Sequence, residues 1–120
     1  GPCQAIVNVG DHVKRGQLIA VPAGLGANIH ASLSGVVEEI TEMDIVVKLD
    51  KEQTDDYVRL EKTDDYLQKI KDAGIVGVGG AGFPTGIKFS TKIPGGYVIA
   101  NAAECEPILG HNVKFMEAVV

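Results

Sequence analysis

Six glycines fall within Gly74–Gly86, in the run GIVGVGGAGFPTGIK that extends to Lys88. Glycine has no Cβ, so a run this dense reads as a loop whose backbone amides can approach a flat or phosphorylated ligand closely. A second compact segment, NAAECEP from Asn101 to Pro107, follows the run. Its two glutamates are suited to accept hydrogen bonds from ribose hydroxyls or a polar ring edge. Together the two segments predict a nucleotide-type site.

Composition narrows the partners. The 120 residues are 45% hydrophobic and 22% charged, ordinary values for a globular chain large enough for one modest domain or two very small ones. No apolar run approaches the roughly 20 residues that cross a bilayer, and no cationic-then-apolar leader is present, so a cytoplasmic chain is expected. A net charge of −5 argues against nucleic acid, whose phosphates need clustered Lys and Arg. The acidic residues bunch between Glu38 and Asp65, a pattern that reads first as solvated surface. Cys3 and Cys105 lie far apart with no CxxC and no histidine pair beside them, so they build neither a disulfide framework nor a zinc or iron–sulfur site. The glutamates flanking Cys105 disfavour a thiolate, which makes it a small buried residue rather than a redox thiol.

Residues 1–62 read as all-β, with strands predicted at Gln4–Val9, Gln17–Ala20, Asn28–Ala31, Gly35–Thr41 and Asp44–Leu49, and tight reversals at Val9–Val13 and Lys14–Leu18. Residues 50–60 turn polar, with a short strand expected near Tyr57–Leu60. Thr63 is the expected cap of a helix with Asp64 and Asp65 in its first turn. Tyr66, Leu67, Ile70 and Ala73 form its apolar face, and Gly74 is its C′ stop. Phe83–Thr85 should turn the chain, Gly86–Phe89 form a short helical turn, and Tyr97–Asn101 a buried strand. Asn112 is positioned to cap a last helix, Val113–Val119. A parallel sheet needs more than one strand–helix unit, so a chain closing on Glu117–Val120 is expected to be a piece of a longer protein.

The pattern V-x-x-G-D-x-V-K-x-G-Q-L-I from Val7 to Ile19, followed by I-x-A-x-x-S-G-x-V-x-x-I from Ile29 to Ile40, resembles biotinyl/lipoyl-type domains and their barrel-sandwich relatives. Carrier versions present a modified lysine on the hairpin between the two halves. Here that segment is Val21–Asn28 (VPAGLGAN) and contains no lysine, which excludes a swinging-arm carrier and favours a structural or docking scaffold. His30 reads as a buried or rim histidine hydrogen-bonded to backbone, with a ligand role as the alternative.

GVGGAGFPTGxK from Gly77 to Lys88, together with NAAECEP, resembles the flavin- and NADH-binding core of two related groups. One is the 51-kDa flavoprotein of respiratory complex I, and the other is the RnfC family of the Rnf ferredoxin:NAD oxidoreductase complex. The β-rich half ahead of the loop matches the RnfC arrangement. Within that group, NAAECEPILGHN is most similar to the RnfC-like electron-transfer proteins associated with clostridial D-proline reductase. The resemblance implies an α+β chain: a barrel-sandwich hybrid over residues 1–62, then the start of an α/β FMN/NADH-binding domain over 63–120. It implies that Gly77, Gly79, Gly80 and Gly82 line the approach to the flavin phosphate and ring, that Lys88 reaches the flavin as a point charge, and that Phe83 offers an aromatic face to the dinucleotide. Asn101 would bond the flavin edge, and Glu104 and Glu106 polar groups of flavin or nucleotide.

Further implications are 4Fe-4S clusters in the remainder of the protein, and partners among the components of a reductase or a membrane electron-transfer complex. The function implied is oxidation of NADH, with electrons passing through FMN and the clusters. The alternative is a non-catalytic docking module with a degenerate nucleotide loop. Two departures bear on that choice. Complex I flavoproteins carry Arg where Val78 stands and Asp where Ala103 stands, so the loop keeps its shape and loses charge. His111 departs from the Rnf-type pattern as well. For a lone glycine motif a tight crossover would be the better reading, and the length of this match is what favours a site.

Overall fold

The computed structural model describes residues 2–78, 80–99, 101, 110, 114 and 116–118. Along the chain these form β1 (Cys3–Ala5), β2 (His12–Val13), β3 (Leu18–Pro22), β4 (Ile29–His30), β5 (Gly35–Ile40), β6 (Ile45–Leu49), α1 (Tyr66–Asp72) and α2 (Thr85–Phe89). Two turns with the same construction set the first half. In Asn8–Asp11 and Lys14–Gln17 the fourth N–H donates to the first carbonyl, at 3.1 and 2.9 Å. The third residue of each is a glycine at positive φ, Gly10 at 93° and Gly16 at 80°, where a side chain would be strained. The fourth side chain accepts from the first N–H, Asp11 from Asn8 at 2.8 Å and Gln17 from Lys14 at 3.0 Å.

The strands pair antiparallel in two three-stranded sheets, ordered β1-β3-β4 and β2-β5-β6. Bonds between Gly10 and Val37 (2.8 Å) and between Val37 and Asp11 (2.9 Å) extend the second sheet, and Ala31 bonds Gln17 and Gly16 to extend the first. In β5 burial alternates from Gly35 to Glu38, so Val37 points inward with Val7, Val13, Ile19 and Ala31, and Ile40, Ile45 and Val47 pack against them. Gly35 lies so close to Lys48 that a Cβ would overlap the Lys48 carbonyl. The domain is therefore a β sandwich of two small sheets, without closure into a barrel among the described residues.

The residues after Leu49 depart from expectation in several places. Tyr57–Leu60 is not a strand: Val58 N–H bonds Arg15 C=O at 2.8 Å, one anchor and no ladder. Asp65, not Thr63, caps α1, its carboxylate accepting from Leu67 N (2.9 Å) and Gln68 N (3.1 Å). The first turn consequently holds no acidic residue. Leu67, Ile70 and Ala73 are half-buried, whereas Tyr66 is exposed. Tyr97, Val98 and Ile99 are 93%, 89% and 83% exposed and form no strand, because no partner strand flanks them among the described residues. The parallel sheet of an α/β domain is likewise absent among the described residues. The expected cap Asn112 and most of the helix after it lie outside them.

Candidate functional site

α1 ends in a Schellman arrangement. Gly74 sits at C′ with φ 66°, its N–H bonds Lys71 C=O at 3.0 Å, and Ile75 N–H reaches back to Ile70 C=O at 3.3 Å. This satisfies carbonyls that a helix end otherwise leaves without donors. The chain then enters the glycine loop, which is stapled at its base. Val76 pairs antiparallel with Pro84, flanked by Gly77 N–H to Phe83 C=O and Thr85 N–H to Ile75 C=O, both 3.0 Å. Pro84 occupies a non-hydrogen-bonded position of this bridge, so its missing N–H costs nothing there. α2 follows directly, and Gly86 is buried against Lys71, whose Cγ would lie 2.5 Å from a Cβ at that position.

Beyond the staple, Val78, Gly80, Ala81 and Gly82 are all exposed. A Cβ at Gly80 or Gly82 would meet no atom within 4 Å among the described residues, so the approach to this backbone is open. Gly82 has φ 65°. Val78 is 99% exposed and Phe83 47% exposed, the latter leaving a large part of its ring available. Lys88 is exposed in the last turn of α2, where a cation also complements the helix dipole. Gly77 is exposed at the staple, and Asn101 is exposed as well. The structure thus brings Gly77, Gly80, Gly82 and Phe83 together on one loop, with Lys88 on the helix that leaves it. Gly79, Glu104 and Glu106 lie outside the described residues.

Sequence reasoning missed the opposite wall. A cavity of about 250 Å³ separates the loop from the β sandwich, lined on one side by Ala81, Gly82 and Phe83 and on the other by Cys3, Leu25 and Ala27. The lysine-free hairpin is therefore what the loop faces. A larger open groove of about 500 Å³ lies elsewhere, beside His12 and Asp50, which pair at 2.7 Å. It has no glycine-rich backbone, and no group of three His, Cys, Asp or Glu is arranged for a metal among the described residues. His30 is half-buried in β4.

Fold and site define a small antiparallel β sandwich joined to a stapled, glycine-rich loop. Residues 1–60 match the family model described as the RnfC barrel sandwich hybrid domain, and residues 70–119 match that described as the Nuo51 FMN-binding domain. The chain belongs to the RnfC family. It is similar to the C subunit of the ion-translocating oxidoreductase complex of Serratia proteamaculans, with 34% identity over 92% of this chain and 18% of that protein. The equivalent proteins of Salmonella arizonae and Salmonella gallinarum are each 33% identical over 92% of this chain and 19% of their own length. The chain thus spans about a fifth of these relatives.

Proposed function

We propose that the stapled loop is a cradle for FMN, in a cytoplasmic electron-transfer protein that oxidises NADH within an ion-translocating, Rnf-type assembly. The observation that carries this reading is the coincidence of the FMN-binding-domain match over residues 70–119 with a loop whose glycine backbone is open to a ligand. Backbone suits the task, since N–H groups serve phosphate and ring edges without the bulk of side chains. Residues 1–62 form the scaffold and 63–120 begin the nucleotide-binding domain. FMN supplies the hydride chemistry when bound. The loop's own part is to hold and orient: Gly77, Gly79, Gly80 and Gly82 present backbone, Phe83 an aromatic face, Lys88 a positive charge, and Asn101, Glu104 and Glu106 hydrogen-bonding groups. Electrons would leave through 4Fe-4S clusters carried by the remainder of the protein, toward other members of the assembly or a reductase such as D-proline reductase.

Val78 favours a second reading, a docking module with a degenerate loop, because an apolar side chain that is 99% exposed stands where complex I flavoproteins carry a cation. Titration of the purified full-length protein separates the two. The cradle reading expects stoichiometric FMN whose visible absorbance bleaches on addition of NADH. A colourless protein that takes up neither ligand sinks it.

A further inference from the structure

The Schellman turn at the end of α1 supplies donors to Ile70 and Lys71 C=O, and Ala73 N–H bonds Lys69 C=O at 3.0 Å. The next carbonyl, that of Asp72, receives its donor from outside the helix: Asn28 Nδ2–H donates to it at 3.3 Å. The same residue touches the helix end a second time. Gly74 lies against the Asn28 backbone so closely that a Cβ would overlap the Asn28 carbonyl. Asn28 is itself fixed, because it leads directly into β4, which pairs with β3 through Ala20–Ile29 and Leu18–His30. The hairpin before it is tied at both ends, Ala23 N–H to Pro2 C=O at 3.0 Å and the Cys3 thiol to Ala27 C=O at 3.6 Å. Ile75, the residue after Gly74, already belongs to the staple through Thr85.

We propose that Asn28 is a positioning residue for the glycine loop: the lysine-free hairpin of the β sandwich clamps the C-terminal end of α1 and thereby fixes the base of the loop. The hairpin that would carry a mobile arm in a carrier domain acts here as a rigid buttress. What the loop holds rests on the cradle reading above; that the hairpin holds the loop does not.

The test is amide hydrogen exchange on full-length protein, comparing Asn28→Asp, which keeps the size and removes the donor, and Asn28→Ala with the unchanged chain. Both variants are expected to speed exchange at the staple amides of Gly77 and Thr85 by about tenfold, the loss of roughly one hydrogen bond's worth of local stability. The core amides of Ala31 and Val37 accelerate no more than the staple amides, to the same degree where global unfolding also breaks the Asn28 contact and not at all where core opening leaves it intact. Unchanged staple amides overturn the proposal, and so does acceleration confined to the core amides, which would make Asn28 a support of the sandwich and not of the loop. A parallel FMN titration should find affinity lowered several-fold in both variants. Unchanged full-length protein that binds no FMN defeats the cradle reading alone, and the exchange comparison still decides the role of Asn28.

Discussion

Gly80 and Gly82 stand two residues apart on the same loop and will respond differently to the same side chain. Neither has an atom within 4 Å of a would-be Cβ among the described residues, so packing does not separate them. Backbone conformation does, since only Gly82 of the two has a positive φ, 65°. Gly80→Val is expected to leave the unfolding free energy from chemical denaturation within about 0.5 kcal/mol of the unchanged protein while abolishing FMN binding, because the new side chain fills the ligand's approach. Gly82→Val should lose binding and also cost about 1–2 kcal/mol through left-handed backbone strain. Normal FMN affinity in Gly80→Val would show that the loop is not the cradle. The position of this loop was legible in the sequence, because glycine density is a local property. Asn28 was not, since its role depends on a contact with Asp72 far along the chain, and an asparagine in a glycine-rich hairpin carries no mark of its partner.

Elements divide along the same line between local and long-range signals. β5 and β6 were readable to within a residue or so at each end, because Gly35 marks the entry and Asp44 and Asp50 bound two runs rich in β-branched residues. β2 is two residues long, too short for any alternation to register. Tyr57–Leu60 has strand-like composition, yet only Val58 finds a backbone partner, and pairing rather than propensity makes a strand. At the start of α1, Thr63, Asp64 and Asp65 are all competent caps, and the reading from sequence favours Thr63, the first of the three. The structure assigns the role to Asp65, with Thr63 Oγ1 accepting from Asp65 N–H at 3.2 Å. α1 has seven residues and no fully buried side chain, too short to persist without its ends. Asp65→Ala is therefore expected to cost about 1 kcal/mol, read as faster exchange of the α1 amides, and Thr63→Ala distinctly less. An equal or larger effect from Thr63→Ala would move the cap back to the position the sequence suggested.

At the scale of the whole molecule, stability is unevenly distributed. Among the described residues the buried hydrophobic core, Val7, Val13, Ile19, Ala20, Ala31 and Val37, belongs to the β sandwich. Beyond residue 62 only Pro84 and Gly86 are buried among the described residues. The α1–loop–α2 segment thus rests on caps, the staple and its contact with the hairpin, all of which can open without unfolding the core. Regions so built occupy the low end of a protein's range of opening free energies, which suits a loop that must admit a ligand. Native-state hydrogen exchange should accordingly find two tiers, with Gly10, Ala31 and Val37 amides protected to the level of global unfolding, and Gly77 and Thr85 amides released by a smaller opening. A ligand held by the loop stabilises only the states that keep the loop closed. FMN at a hundredfold excess over its dissociation constant should then slow the staple amides by about a hundredfold, some 2.7 kcal/mol. Where global unfolding also releases the ligand, the core amides slow to the same degree. They stay unchanged if core opening leaves the loop segment intact. Slowing confined to the core amides, with the staple unaffected, would place the flavin away from the loop and overturn its assignment as the cradle.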